Sequence, residues 1–119
     1  MKERTKRFAV RVVKMVDTLP RKMSADVMGR QVLRSATSVG ANYRSACRAR
    51  SREEFRAKLG VVEEEADETM FWMEMLIESE LVKAGQLQPL MKEAEEILAI
   101  TVSSIKTSRT HSTQARVKA

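Results

Sequence analysis

Over residues 2–19 the apolar positions Phe8, Val12, Met15 or Val16, and Leu19 return every three or four steps. That interval lays them on one face of a helix. Lys2, Arg4, Lys6, Arg7, Arg11 and Lys14 occupy much of the remainder. Pro20 stops the pattern, because it has no N–H to donate and restricts the residue before it. The link from Pro20 to Met23 is short, so a second helix must fold back antiparallel to the first.

That second helix carries two interleaved stripes. One is Ala25, Met28, Val32, Ser35, Val39, Asn42 and Ala46; the other is Leu33, Ala36, Gly40, Tyr43 and Cys47. Each steps by alternating three and four residues, so this helix can be covered from two sides at once. Ser24 is the expected N-cap, with Asp26 in the first turn at the positive end of the dipole. Gly40 and Ala36 predict a close approach by a neighbouring backbone. Ser35 and Asn42, polar on core stripes, require partners if buried.

Ser51 and Glu54 form a capping-box signature that opens a third helix. Its stripe is Phe55, Leu59, Val62, Ala66, Thr69, Met73 and Leu76, expected to run to about Lys83 with Gly85 as the C-terminal stop. Phe71 and Trp72 are adjacent and cannot share a seam, so one of them is expected to cover a subunit contact. A fourth pattern opens near Pro89 and continues through Met91, Ala94, Leu98, Thr101 and Ile105. After Lys106 the chain turns polar without periodicity, and residues 109–119 read as a basic, polar, disordered tail. Four helices, short links and no strand signal predict an all-α, antiparallel, up-down-up-down four-helix bundle over residues 1–108.

Charge changes this picture from architecture to surface. The chain carries a net +6. Residues 1–52 hold 14 Lys/Arg against 3 Asp/Glu, residues 53–105 hold 4 against 13, and the last 14 hold 4 against none. The joint between helices two and three concentrates Arg44, Arg48, Arg50 and Arg52. In an antiparallel bundle the start of helix one reaches the same end, bringing Lys2, Arg4, Lys6 and Arg7 beside them. Guanidinium forks match phosphate oxygens, so this end is the candidate nucleic-acid surface. Few aromatics are present to stack on bases, so contact would be to the backbone of RNA or DNA. The alternative is that the basic helices pair with acidic helix three, within the bundle or in a neighbouring subunit, or with an acidic partner protein.

Catalysis finds little support. The single histidine, His111, falls in the expected tail, and the carboxylates include no Glu-x-x-His of the di-iron bundle type, so no metal, cofactor or small-molecule substrate is expected. Cys47 lies on an apolar stripe and reads as a small core residue. One lone thiol suits a reducing cytoplasm, and neither a membrane span nor a secretory signal is expected. From the acidic run, Glu65 and Glu68 are expected to turn inward to meet Arg34 or Asn42. With Ser35 they would form a buried polar network that fixes helix register.

The segment QVLRSATSVGANYRSACRARSREEFRAKL, followed by EEADETMFWMEML, resembles the four-helix-bundle family named after 23S rRNA intervening-sequence proteins. The matching positions are Leu33, Arg34, Ser35, Ala36, Asn42, Ser51, Phe55, Glu65 and Glu68, and AEEILAITVSSIK is similar to the family's last helix. The resemblance covers about residues 8–108. It implies a cytosolic, non-enzymatic bundle that assembles into a ring, a homopentamer. Related accessory proteins of diversity-generating retroelements bind nucleic acid and a reverse transcriptase through a basic surface, so the resemblance also favours nucleic-acid binding.

Overall fold

The computed structural model describes the backbone of residues 1–118 and the side chains of residues 1–110. Four helices follow in order: α1 (Lys2–Val16), α2 (Met23–Cys47), α3 (Arg52–Glu78) and α4 (Ala84–Lys118). The chain is all-α, as the periodicity predicts. The body is rod-like, 59 × 21 × 20 Å.

Consecutive helices pack side by side, and named contacts fix their directions. Gly29 lies against Val16 and Leu19 while Gly40 lies against Thr5, so α1 and α2 run antiparallel. The Ser35–Thr69 hydrogen bond, and the cluster of Ala46 with Leu59, orient α3 the same way against α2. Arg56 of α3 reaches Ser108 of α4, at the end of the bundle remote from the short α3–α4 link. The diagonal pairs, α1 with α3 and α2 with α4, stand further apart, with no Cα atoms within 8 Å of each other among the described residues, and the α1–α4 seam is thin.

The main core draws on the predicted stripes of the first three helices, with Phe8 and Val12, then Val32, Ala36 and Val39, then Val62, Ala66, Met73 and Leu76, and is completed by Leu87, Leu90, Ala94 and Ile97 from α4. Leu87, Leu90 and Ile97 were absent from the stripe that began at Pro89. α4 starts five residues earlier, and Pro89 sits in its second turn, where its missing N–H leaves the Gly85 carbonyl without a helical donor. The expected boundary at 108/109 falls inside α4. The side chains from His111 onward, and so most of the expected tail, lie outside the described residues.

Two helix ends differ from the sequence reading. α2 begins at Met23 with Lys22 as its N-cap, and Ser24 lies inside the first turn without a capping bond. α3 ends at Glu78 rather than near Lys83. Glu80 N–H donates to the Ile77 carbonyl at 2.9 Å and Leu81 N–H to the Leu76 carbonyl at 3.0 Å. These are the two bonds of a Schellman motif, which needs a left-handed residue just past the helix. Glu80 fills that place at φ 60°, the one non-glycine residue with positive φ among those described. A side chain costs energy there because its Cβ crowds the following carbonyl. Glu80→Gly is therefore expected to stabilise the fold by about 0.5–1 kcal/mol. The check is a thermal melt, whose midpoint should rise by roughly 2–5 °C.

Candidate nucleic-acid interface

The joint between α2 and α3 is built by local capping. Ser51 accepts a hydrogen bond from the Glu54 N–H at 3.0 Å, and the Glu54 carboxylate accepts one from the Arg50 N–H at 3.1 Å. The second bond lands one residue earlier than in the standard capping box, so it fastens the joint as well as the helix. Cys47 closes α2 and is exposed, not a core residue. Its stripe runs off the end of the helix at a level that α1, beginning near residues 40–44 of α2, scarcely reaches.

Beneath the joint, Ala46, Leu59 and Ile105 form a small buried cluster with Tyr43 and Phe55 packed on it. Burial holds the Tyr43 hydroxyl above the ordinary tyrosine range, with the nearby Cys47 thiol adding to the effect. Tyr43 is thus a neutral packing residue.

The eight basic residues of the expected surface separate into three groups. Lys2, Lys6 and Arg44 line one groove between α1 and α2, of about 380 Å³, together with Glu3, Ala9, Thr37, Gly40 and Ala41. Its floor is the close approach of α1 to α2 at Gly40, where the Thr5 carbonyl lies 3.5 Å from where a Cβ would stand, room for a methyl group but not for a larger side chain. Arg48, Arg50 and Arg52 are exposed at the adjoining joint, where Arg50 and Arg52 line a second shallow groove with Phe55. The third group stands apart. Arg7 projects from the outward face of α1. Arg4 turns toward α4, where it grips Glu93 through both oxygens at 2.7 Å and Glu96 at 2.7 Å. The paired hydrogen bonds with Arg4 hold the Glu93 carboxyl below the usual carboxylate range. The Arg4 guanidinium, raised further by Glu93, stays charged. Arg4 is therefore the clasp of the thin α1–α4 seam and not an open phosphate donor.

The expected polar network divides as well. Arg34 does reach Glu65, at 3.3 Å, and Glu68, bridging α2 to α3. It does so on the surface: the Arg34 side chain is 51% exposed. The carboxylates, Glu65 foremost, raise its affinity for its proton. Ser35 lies in the core, and its oxygen accepts a 2.8 Å hydrogen bond from Thr69. Asn42 joins neither, donating instead to the Ser38 carbonyl and hydroxyl of its own helix, both at 2.9 Å. A side chain four residues back was simply nearer than any carboxylate of α3. Thr69 was legible as a stripe position but not as the partner of Ser35, since nothing in one sequence states the register between two helices.

Phe71 is half-exposed, and Trp72 turns inward with its ring edge-on to Phe71 at 4.9 Å between centroids. The Trp72 indole N–H is buried without a hydrogen-bond partner among the described residues. No helix among the described residues is long and apolar enough to cross a membrane.

These features define a class: a small, all-α bundle with a basic end and no clustered metal-ligand set among its described residues. The chain matches the family description "23S rRNA-intervening sequence protein" over residues 1–103, and it belongs to that family. It is also similar to the crystal structure of a protein of unknown function from the S23 ribosomal protein family of Bacteroides thetaiotaomicron VPI-5482. That likeness has a TM-score of 0.83 and 39% identity, covering 88% of this chain and 97% of the other. A comparison with curated proteins gives no match.

Proposed function

We propose that this protein is a non-enzymatic, homo-oligomeric bundle of the cytoplasm that binds the backbone of RNA or DNA through its basic end. The observation that carries this reading is the meeting of Lys2 and Lys6 from α1 with Arg44 from α2 around one open groove, with Arg48, Arg50 and Arg52 exposed in the joint that follows α2. No carboxylate forms an ion pair with these six among the described residues, whereas Arg4 and Arg34 are each held by two. Glu3, the one acid lining the groove, is outnumbered there. Binding of this kind reads phosphate and ignores base sequence. A ring, as in the homopentamer implied by the family resemblance, would repeat the basic end around its axis and multiply its potential.

The test is titration of the purified chain against generic labelled RNA and duplex DNA at two salt concentrations, with Arg44→Glu/Arg48→Glu/Arg50→Glu alongside. Six phosphate contacts predict that affinity falls by about 10³ between 50 and 200 mM salt. The triple reversal should weaken binding by at least about tenfold at low salt and flatten the salt dependence. Absence of binding at low salt overturns the reading, and leaves an acidic protein as the partner of the basic end.

A further inference from the structure

One side of the bundle is left open near its basic end. Arg4, in the first turn of α1, meets Glu93 and Glu96 of α4. The same face of α4 continues at helical spacing through Ile100, Ser103 and Ser104, past the level at which α1 begins. Arg52 and Phe55, from the start of α3, stand along the other side. Together with Ser108 these residues line an open groove of about 660 Å³. That volume lies in the range of small-molecule sites, about 300–1,000 Å³. Arg56 donates to the Ser108 carbonyl and hydroxyl and ties α3 to α4 beside the groove. Arg52 and Phe55 also line the shallow groove of the joint, with Arg50. Phe55 therefore stands between two grooves, partly buried where it packs over Ala46, Leu59 and Ile105. Neither lining includes a carboxylate, whereas the groove between α1 and α2 includes Glu3.

We propose that the groove between α3 and α4 takes an unstacked base of a single-stranded nucleic acid, laid against Phe55, while Arg50 and Arg52 hold the neighbouring phosphates. The inference rests on the proposed binding of nucleic-acid backbone at this end, and adds which form of nucleic acid is preferred. A base and its phosphate are joined through one sugar, so a base site must lie beside cations. Arg52 is on the rim of both grooves and meets that condition. Every base has a π face, so stacking on an aromatic ring tolerates any sequence. The serine hydroxyls of α4 both donate and accept, and so can serve the edge of any base. Three hydroxyls and a guanidinium around one aromatic ring suit a base and its phosphate better than an apolar protein surface. In a duplex the bases stay stacked inside, and only phosphates reach the arginines. A single strand turns a base outward at little cost, so the groove adds affinity for single strands alone.

The experiment titrates the full chain against a labelled single strand without self-complementarity, and against the duplex it forms with its complement, at low and high salt. Phe55→Leu and Phe55→Tyr are measured alongside, with helical circular dichroism and the mass in solution recorded for each. Phe55→Leu keeps an apolar cover on the cluster beneath and removes the π face. It should weaken single-strand binding by at least about fivefold and leave duplex binding within about twofold of wild type. Phe55→Tyr keeps the face and should bind the single strand within about twofold of wild type. The salt dependence of single-strand binding should be the same for all three chains, because the phosphates contacted are the same. Duplex binding with a single-strand affinity indifferent to Phe55→Leu overturns the inference and leaves backbone binding standing. An equal loss for both nucleic acids also overturns it, since the arginines have then been displaced and no base has been released. A mass that falls on Phe55→Leu with single-strand affinity intact gives the groove to a second copy and overturns the base site. No binding of either nucleic acid by the wild-type chain at low salt overturns both the inference and the reading beneath it.

Discussion

Leu59→Ala is expected to destabilise the bundle by about 3 kcal/mol, chiefly at the end that carries the arginines. Leu59 is fully buried, and it is the most deeply buried member of the cluster it forms with Ala46 and Ile105. Three helices meet on this one side chain, because α1 begins too far along the bundle to cover it. Its truncation removes the transfer energy of the deleted carbons and leaves a cavity that Ala46 is too small to fill. Tyr43 and Phe55 pack on the rim and can move in part of the way, which places the cost in the lower half of the usual range for such a change. Chemical denaturation checks it: the midpoint should fall with the slope unchanged, the sign of lost stability and not of a changed unfolded state. Hydrogen exchange should quicken most in the last turns of α2 and the first turns of α3, where this cluster is the main apolar anchor.

The contrast between α3 and α4 shows what the sequence could convey. On α3 every residue of the stripe from Leu59 to Leu76 is buried, because one unbroken 3.6-residue period states which face is apolar. On α4 the same reasoning was cut short by Pro89, which is tolerated one turn later than its usual place and hid Leu87 and Leu90. The end of α3 was misplaced for a related reason. Gly85 was the available glycine, yet the left-handed position is occupied by Glu80, and a residue that breaks the local preference leaves no local signal. Thr5 was missed altogether. It is buried because its backbone carbonyl packs over Gly40, a matter of helix-to-helix register that composition cannot state.

The basic surface was legible only as a census. Chain order and antiparallel packing correctly bring Lys2, Lys6 and Arg44 to one end, since the start of α1 must lie beside the end of α2. They do not say which cations the fold keeps for itself. Arg4 and Arg7 differ by three residues, nearly one turn, yet Arg4 faces Glu93 across the α1–α4 seam while Arg7 faces out. Asn42 shows the same limit for the polar network, because a partner within its own helix outcompetes a more distant carboxylate. Helix faces follow from period, but which partner stands before each face follows from the relative shift and rotation of whole helices.

Gly40 converts that point into a measurement with opposite signs. A Cβ at this position would stand 3.5 Å from the Thr5 carbonyl oxygen and 3.8 Å from the Lys6 Cα, ordinary contact distances. Gly40→Ala should therefore fit, and by removing a glycine from a helix interior it should stabilise the protein by about 0.5–1 kcal/mol. Gly40→Ile should instead destabilise by about 2–3 kcal/mol. Isoleucine adds two γ carbons with essentially one χ1 rotamer in a helix, so it cannot swing both away from α1. What it meets is backbone, which yields only if the helix lifts. The first turns of α1 have little else to hold them, since the α1–α4 seam is thin and is clasped by Arg4. Lifting α1 also separates Lys2 and Lys6 from Arg44. The isoleucine variant should thus lose affinity for RNA or duplex DNA under conditions where it remains helical, while the alanine variant keeps it. Equal binding by both would mean that the groove does not contribute and that Arg48, Arg50 and Arg52 act alone. A thermal melt and a low-salt titration on the two variants together separate the stability of the close approach from its use.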